Sequence, residues 1–348
     1  MATKKRFLVT GGTGFLGSAL VRRLVSEGHY VRILDNGYRS SHRRLKDIMD
    51  DIVVVIGDLR DAYSVSRAVR GVDSVVHLGA VNGTENFYRN PELVLDVGVR
   101  GMLHVLDACR QHSVGELVVA SSSEVYQTPP ITPTDETVPL IIPDPLNPRL
   151  SYGGSKIISE LLAINYGRTD FDRVVIFRPH NVYGPDMGWE HVLPQFILRA
   201  KALVEQHTAG KIPFSIQGDG SETRAFTYID DMVDGLMLLI EQGAHNNIYH
   251  VGNPEEIAIE NVAHAVVAIF GRDAELVPGP RTEGSTPRRC PDIRKLANLG
   301  YRPKVSFEEG LPRIVEWYVA NADRAPSAVE RTEELPRAAA GSRVEEKQ

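Results

Sequence analysis

The feature that most constrains this chain is a glycine-rich turn near its start, Thr10-Gly11-Gly12-Thr13-Gly14-Phe15-Leu16-Gly17. It follows an apolar, β-branched run and precedes a helical pattern. Gly11, Gly14 and Gly17 allow a tight turn, close approach of a pyrophosphate to the backbone, and close packing of helix on strand. The helix N-terminus then offers N–H groups to the phosphates. The turn predicts a dinucleotide site that includes Phe15 and Leu16.

Two carboxylates extend this prediction. Asp35 ends the second predicted strand, where it can accept hydrogen bonds from the adenosine ribose and repel a 2′-phosphate. NAD is therefore favoured over NADP, although Arg39 could instead hold that phosphate. Asp58 follows the third predicted strand and is placed either to contact the adenine edge or to cap a helix. The remaining residues predicted to bind the cofactor are Asn36, Leu59, Leu78 and Ala80.

Apolar strand patterns alternate with amphipathic helical patterns over the first half of the chain. This alternation predicts an α/β fold with a doubly wound, parallel Rossmann sheet. The predicted strands cover residues 6–10, 30–35, 52–56, 74–78, 115–121 and 173–178. After Pro185 the rhythm changes, with helices expected near 189–207, 229–242, 259–271 and 308–321 and a strand near 213–217.

The change of rhythm divides the chain into three expected regions. Residues 1–180 form the cofactor domain, to which some later segments return, and 181–322 form most of a smaller, mixed α/β substrate lobe. The proline-rich stretch 128–148 is expected to be an ordered loop over the site, because proline is poorly tolerated inside helices and strands. The tail at 323–348, rich in Ala, Arg and Glu, is expected to be disordered.

Composition excludes several other classes of protein. The net charge of -6 gives no general attraction to nucleic acid, and no apolar run is long enough to cross a membrane. The two cysteines, Cys109 and Cys290, are too few and too far apart for a disulfide framework or a metal site. We therefore expect a cytoplasmic protein with no metal, no nucleic-acid partner and no membrane partner.

A pair of residues at helical spacing indicates the chemistry. Tyr152 and Lys156 are one turn apart, so they point the same way. An ammonium about 4 Å from the phenol, at an effective dielectric of about 20, is worth roughly 4 kcal/mol, or about 3 pK units. The pair can therefore supply a general base near neutral pH. Ser122, Ser123 and Glu124 follow the fifth predicted strand, at the sheet edge where such folds bind ligands, although serines there often only form turns.

In combination, the motifs resemble those of the extended short-chain dehydrogenases, specifically the nucleoside-diphosphate-sugar epimerases, dehydratases and decarboxylases. The resemblance covers roughly residues 6–320. It rests on TGGTGFLG, GDLRD, HLGA, SSSEVY, YGGSK, RPHNVYGP, GDGSETRAFTYIDD and PRRCPDIRK, in this order.

The resemblance implies a role for each matching residue. Tyr152 removes the proton from the sugar 4-hydroxyl, Ser122 hydrogen-bonds that hydroxyl, and Lys156 holds the nicotinamide ribose. Substrate contacts are implied for Asn181 near the diphosphate, and for Arg224 and either Arg288 or Arg289 against its charge. His191 is a further expected substrate contact. Gln217 is expected to contact the substrate as well, although it stands where many members of the family stack a tyrosine on the nucleotide base. Arg224 could alternatively bridge the two lobes in an ion pair. A homodimer is implied through helices near 92–112 and 151–168.

The step after C4 oxidation depends on the residues that follow the catalytic serine. Family members that only invert C4 usually carry small neutral residues there, and 4,6-dehydratases carry Asp-Glu. This chain has Ser123-Glu124, as the uronate decarboxylases do, but it lacks the arginine those enzymes carry after YGP. Epimerisation is the favoured outcome, with dehydration or decarboxylation through Glu124 as alternatives. Glu124 could instead only hydrogen-bond the proline-rich loop.

Two hypotheses of other classes remain. A hydroxysteroid or flavonoid reductase shares the glycine-rich turn and the Tyr-Lys pair, but it needs no arginines against a diphosphate. A non-catalytic, dinucleotide-sensing protein would not need Ser122, Tyr152 and Lys156 together. One departure from the family is Gly98, which stands where an asparagine is common, so that a polar contact is expected to be missing.

Overall fold

The computed structural model describes residues 4–38, 42–280 and 286–326. Arg39 and most of the tail predicted to be disordered lie outside the described residues. The strands are β1 Arg6–Thr10, β2 Tyr30–Asp35, β3 Ile52–Ile56, β4 Ser74–His77, β5 Glu116–Ala120, β6 Arg173–Pro179, β7 Val182–Tyr183, β8 Ile212–Gln217, β9 Thr223–Ala225, β10 Thr227–Tyr228, β11 Asn247–Val251, β12 Glu256–Ala258, β13 Ala274–Gly279 and β14 Arg288–Arg289.

Each of the four helices predicted after Pro185 is present in the structure. Their observed ends differ from the predicted ones by up to three residues. The α-helices are α1 Phe15–Ser26, α2 Ala62–Val69, α3 Thr84–Arg89, α4 Pro91–Leu95, α5 Gly101–Gln111, α6 Ser151–Gly167, α7 Val192–Gln206, α8 Ile229–Gln242, α9 Ile259–Ile269, α10 Arg294–Ala297 and α11 Phe307–Ala320.

Seven parallel strands form the central sheet, in the order β11-β6-β5-β4-β1-β2-β3. The predicted Rossmann sheet is confirmed, and its six predicted strands match to within one residue at each end. Successive side chains along a strand point to opposite faces of the sheet and enter two different buried clusters. Val9 and Val118 belong to one cluster, and Leu8 and Leu117 belong to the other. Burial on both faces explains why the inner strands β1, β4, β5 and β6 read as nearly continuous apolar runs.

The seventh strand, β11, was not predicted from the sequence. It pairs with β6, with Asn247 opposite Val175, and its sequence Asn-Ile-Tyr-His-Val mixes polar and apolar residues. The preceding helix, α8, contacts α1, β6 and β11. A segment expected mostly in the second lobe thus completes the central sheet, because its apolar face fits that layer.

Smaller sheets follow the central one. They pair β10 with β7, β9 with both β12 and β14, and β13 with β8. The alternating burial of β8 indicates one face packed and one exposed, as in a half-buried strand. The proline-rich loop 128–148 is ordered as expected: the Thr134 N–H donates to the Cys290 carbonyl at 2.9 Å, and the Asp292 N–H donates to the Thr134 carbonyl at 2.7 Å.

The region near 92–112 is not one regular helix. A π-helical turn, Asp96–Arg100, separates α4 from α5. Gly98 lies in this turn, and a Cβ there would be 2.7 Å from the Ser155 Cβ. Ser159 donates a hydrogen bond to the Gly98 carbonyl at 3.2 Å. Gly98 therefore lets α6 approach closely, which gives the glycine a packing reason where a polar contact is missing.

Within the described residues, no helix is both long enough and apolar enough to cross a membrane.

Candidate functional site

A cavity of about 500 Å³ opens at the carboxyl ends of the central strands. The sheet order reverses between β1 and β4, which is where open α/β folds bind ligands. Most of the predicted site residues line this cavity: Gly11, Gly14, Phe15, Leu16, Gly17, Asp35, Asn36, Asp58, Leu59, Leu78, Ala80, Ser122, Ser123, Glu124, Tyr152, Lys156, Asn181, His191 and Arg289. Arg224, Arg288 and Gln217 do not line it.

The glycine-rich turn has the close contacts that a dinucleotide site requires. A Cβ on Gly17 would lie 2.1 Å from the Gly11 carbonyl oxygen, and a Cβ on Gly11, where φ is +69°, would lie 2.9 Å from the Gly79 Cα. Only glycine fits these two positions. Gly14 is the N-cap of α1 and has no side chain with which to cap it, so the helix start keeps N–H groups for phosphate oxygens. The turn fits NAD.

The carboxylates beside the turn are held in place. Asp35 accepts hydrogen bonds from the backbone N–H groups of Thr13 at 3.1 Å and Gly37 at 2.9 Å. Asp58 accepts from Arg60 Nε and Nη2, both at 2.9 Å, and from Asn36 Nδ2 at 3.0 Å. The hydrogen bonds from Arg60 lower the pKa of Asp58 to about 2, so it is ionised.

The suggestion that Asp58 caps a helix is wrong. Asp61 is the N-cap of α2 and accepts from the N–H groups of Tyr63 and Ser64. Asp58 stands three residues earlier, on the cavity wall, and the network with Arg60 and Asn36 orients its carboxylate. This position agrees with its predicted contact to the adenine edge.

Tyr152 and Lys156 lie together on α6, as their spacing predicts. The Lys156 ammonium is 5.7 Å from the centre of the Tyr152 ring and donates to the Ala120 carbonyl at 2.8 Å. Burial lowers the pKa of Lys156 to about 8, while the charge of Glu160 opposes that shift. The ammonium is therefore present at neutral pH and is lost as the pH rises through about 8.

Phe87 was missed by sequence reasoning. Its ring stacks on the Tyr152 ring, with centroids 4.9 Å apart and an angle of 16° between the planes. Both rings are buried and line the cavity. The residues around Phe87 carry no motif, and only the contact between α3 and the start of α6 reveals its place.

Replacing Phe87 by leucine should lower kcat roughly 2- to 12-fold. An aromatic pair contributes about 0.5–1.5 kcal/mol beyond the burial of its surface area, and this stack would orient Tyr152, the predicted base. Bound NAD and the melting temperature should change little. Steady-state kinetics of Phe87→Leu against Tyr88→Leu, an exposed neighbour on the same helix, make the comparison. Equal kcat values in the two variants would mean that the stack does not position Tyr152.

Two of the serines after β5 make different contacts. The Ser122 Oγ accepts from the Glu124 N–H at 3.1 Å and caps the short 3-10 helix Ser123–Tyr126, so it does form a turn. As a hydroxyl it also carries a proton that it can donate into the cavity. Ser121 instead donates to the buried carboxylate of Glu160. Capping and the predicted contact of Ser122 with the sugar hydroxyl are thus compatible.

Glu124 faces Arg289 across the cavity wall. Its Oε1 is 2.6 Å from Arg289 Nη1. Burial raises the pKa of Glu124, but the charges of Arg289, Arg149 and Arg224 outweigh burial and hold the pKa below its usual value. The suggestion that Glu124 only hydrogen-bonds the proline-rich loop is wrong, because its side chain pairs with β14. Glu124 is an ionised carboxylate in the cavity.

The predicted substrate arginines separate in the structure. In β14, successive side chains point to opposite faces. Arg289 is buried and lines the cavity, whereas Arg288 is exposed and pairs with Glu256. Of the two alternatives, Arg289 therefore faces the site, and Arg288 is placed at the surface.

Arg224 lies next to Arg289 in the register of β9 and β14, behind the cavity wall. It pairs with Glu222 at 3.2 Å and donates to its neighbour's carbonyl, so its ion pair is local and does not bridge lobes. Gln217 ends β8 with an exposed side chain, away from the cavity. The geometry of the cavity thus gives no support to the prediction that Gln217 and Arg224 contact the substrate.

Asn181 and His191 do line the cavity, as predicted. Asn181 has a φ of +35° and donates from Nδ2 to the Ala225 carbonyl at 3.1 Å. His191 is the N-cap residue of α7. The two residues bound the side of the cavity that faces the smaller sheets.

A buried ion pair beneath the site was also missed. Arg178 donates to the Glu160 carboxylate through Nε at 2.8 Å and Nη2 at 2.6 Å, and both side chains are almost fully buried. Glu160 lies one turn beyond Lys156 on α6, and Arg178 lies on β6. Arg178 also donates to the Tyr126 hydroxyl, which contacts His250 Nε2 at 2.7 Å. The pair ties α6 to β6 of the central sheet.

Comparison with known proteins decides the family. Residues 7–252 match the NAD-dependent epimerase/dehydratase family. The chain belongs to this family. It is 29% identical to the UDP-N-acetyl-alpha-D-glucosaminuronate decarboxylase of Bacillus cytotoxicus over 327 residues, which cover 90% of this chain and 98% of that one.

Solved structures agree with this assignment. The dTDP-glucose 4,6-dehydratase of Streptomyces venezuelae, crystallised with NAD, is 31% identical with a TM-score of 0.81, covering 92% of this chain and 98% of that one. The UDP-glucose 4-epimerase of Thermus thermophilus, in complex with NAD, is 29% identical with a TM-score of 0.78, covering 90% and 99%. NAD is the cofactor of the family, and these relatives include a decarboxylase, a dehydratase and an epimerase. The family resemblance inferred from the sequence is confirmed.

Proposed function

We propose that this protein is an NAD-dependent epimerase that inverts C4 of a nucleoside-diphosphate sugar through a 4-keto intermediate. The observation that carries the proposal is the ion pair between Glu124 and Arg289, at 2.6 Å, which engages the carboxylate that dehydration would need as a base. Tyr152 and Lys156 supply the acid–base chemistry at C4, which both the outward and the return step need.

The residues of the cavity divide the work at C4. The glycine-rich turn and Asp35 hold NAD, which when bound supplies the hydride acceptor and donor for C4. Tyr152 accepts the 4-hydroxyl proton and returns it after the sugar has presented its other face. Ser122 hydrogen-bonds the same oxygen. The Lys156 ammonium stabilises the tyrosinate while it is charged, which is below a pH of about 8.

Two features count against dehydration. Ser123 stands where the dehydratases of the family carry an aspartic acid, and a serine hydroxyl cannot protonate a leaving hydroxide effectively. A carboxylate whose pKa is lowered by Arg289 is also a weak base toward a C5 proton. The chain therefore offers neither an effective acid nor a strong base for the elimination of water, whereas re-reduction at C4 needs no further group.

Decarboxylation is the second candidate, favoured by the similarity to the Bacillus cytotoxicus decarboxylase. A substrate carboxylate could displace Glu124 from Arg289. The loop after YGP, however, lacks the arginine that the uronate decarboxylases of the family carry there, and its Glu190 lines the cavity. A negative group near a uronate disfavours its binding.

We also propose that the protein is a homodimer. Apolar side chains on two neighbouring elements are exposed in the isolated chain, with Leu161 and Ile158 on α6 and Leu95 on α4. Exposed apolar side chains grouped on adjacent helices are typical of a protein interface. The helices are those through which the family resemblance implies dimerisation.

The substrate and the reaction are tested together in deuterated water. The purified protein with NAD is incubated with UDP-, dTDP-, GDP- and CDP-linked hexoses and uronates, and products are followed by mass and proton NMR. We expect an isomer of unchanged mass without deuterium at C5. Loss of carbon dioxide, with deuterium at C5, would establish decarboxylation instead, and loss of water would establish dehydration. No turnover and no NADH with any sugar nucleotide would support the non-catalytic hypothesis.

Replacing Glu124 by glutamine separates the two leading candidates. Because the amide oxygen still accepts from Arg289 and C4 inversion needs no carboxylate here, epimerisation should stay within about tenfold of wild type, below the 10²–10⁴-fold typical of a lost general base. Glu222→Gln, which alters a carboxylate paired with Arg224 outside the cavity, is the matched control. A loss of about 100-fold or more in Glu124→Gln alone would make Glu124 catalytic.

A further inference from the structure

Three segments of the chain meet at one end of the cavity. Arg43 and Arg44 belong to the 3-10 helix His42–Asp51, and Asp186 begins the loop after β7. Arg43 Nη2 lies 2.7 Å from Asp186 Oδ2. Arg44 donates from Nη2 to the Asp186 carbonyl at 2.9 Å and from Nη1 to the Thr13 carbonyl at 3.2 Å. The contacts therefore join the glycine-rich turn to the loop after β7.

One member of this group of charges lies in the cavity wall. Arg44 lines the cavity beside Gly14 and Phe15, and only 14% of its side chain is exposed, against 45% for Arg43. The residues after Asp186, Met187 and Gly188, also line the cavity. The contacts thus connect two parts of the cavity wall, one made by the cofactor turn and one by the loop.

The loop is fastened on its other side to the last helix. The Tyr318 hydroxyl donates to the Gly188 carbonyl at 2.5 Å, and Trp189 packs edge-on against the Tyr318 ring at 5.0 Å. Asp186 has a φ of +62°, so the backbone turns sharply where the ion pairs form. Without those pairs, the loop would keep its attachment to α11, but it would lose the charged contacts to the cofactor side and keep there the hydrogen bond from Arg44 to the Asp186 carbonyl.

We propose that Asp186, Arg43 and Arg44 form a clasp that closes the cavity wall over bound NAD and slows its dissociation. The inference rests on the proposed function in one respect: a hydride returned to the same sugar requires the reduced cofactor to stay bound between the two steps. Asp186 neutralises one of the two guanidinium charges, so its contribution to cofactor retention comes from holding the loop against Arg43 and Arg44 and not from attraction to the phosphates. Asp186 is a positioning residue here, since it acts through Arg44 and the loop.

The test is the rate at which NADH is released from Asp186→Asn. Asparagine tolerates a positive φ, and its backbone carbonyl still accepts from Arg44, so the change removes mainly the charge. NADH bound to the full-length protein is displaced by excess NAD, and the loss of its fluorescence is followed by stopped flow. We expect release about tenfold faster than in wild type, since charge-assisted contacts act mostly on dissociation. Arg43→Gln should shift the rate in the same direction, by less.

The matched control is Asp107→Asn. Asp107 pairs with Arg110 on the exposed side of α5 and does not line the cavity, so its loss should leave NADH release unchanged. An unchanged or slower release from Asp186→Asn would overturn the clasp, as would an equal acceleration in Asp107→Asn. No sugar is present in this measurement. A wrong assignment of the reaction would therefore leave the release rates as expected, whereas a wrong assignment of the clasp would leave the sugar chemistry intact.

Discussion

Tyr152→Phe should lower kcat for sugar turnover by about three orders of magnitude, within the 10²–10⁴-fold range of a lost general base. The change removes only the phenolic oxygen. The ring keeps its stack on Phe87, and the Lys156 ammonium stays over it. Turnover of the preferred sugar nucleotide, followed by NMR, provides the measurement.

Cofactor binding and folding separate a chemical effect from a structural one. Because the glycine-rich turn and Asp35 are untouched, NAD content and melting temperature should match those of wild type. Tyr88→Phe removes a hydroxyl from an exposed tyrosine near the same site and should be neutral. Turnover of Tyr152→Phe near the wild-type rate would remove the proposed acid–base mechanism.

Glu160→Gln should destabilise the protein by about 3–5 kcal/mol, because it leaves the Arg178 guanidinium buried without its countercharge. Arg178 is 1% exposed, so water cannot replace the lost carboxylate. For a chain of this length, the melting temperature should fall by roughly 4–7 °C. Differential scanning calorimetry of the two proteins measures the difference.

The same substitution at an exposed ion pair provides the comparison. Glu27 pairs with Arg23 across one turn of α1 in contact with solvent. Such pairs contribute about 0.3–0.5 kcal/mol, so Glu27→Gln should lower the melting temperature by less than about 1 °C. If Glu160→Gln were no more destabilising than Glu27→Gln, the buried pair would not tie α6 to β6 as we infer.

Local patterns in the chain were enough to predict the cofactor site. The turn at 11–17 needs glycine for steric reasons that act over a few residues, and a Cβ at Gly17 would meet the carbonyl only six positions earlier. Tyr152 and Lys156 are neighbours through helix geometry alone. The inner strands β1, β4, β5 and β6 are buried on both faces along most of their length, so each is a nearly continuous apolar run that is visible without knowledge of its partners.

The substrate side needed the fold. No sequence pattern distinguishes Arg288 from Arg289, since the choice depends on which face of β14 turns toward the cavity. Strand β11 was missed for a similar reason. Its polar residues are paired by the buried network under the site, where His250 contacts Tyr126, and a single sequence does not reveal such partners.

The sequence by itself determined the Rossmann sheet, the NAD turn, the Tyr152–Lys156 pair and the family, because each depends on contacts within a few residues or on motifs read in order. Only the tertiary structure decided that Glu124 meets Arg289, that Phe87 stacks on Tyr152 and that Asp186 meets Arg43. These partners are 165, 65 and 143 positions apart along the chain. Their meeting depends on how the sheet edge, the loops and the smaller sheets pack, and local sequence patterns carry no record of that packing.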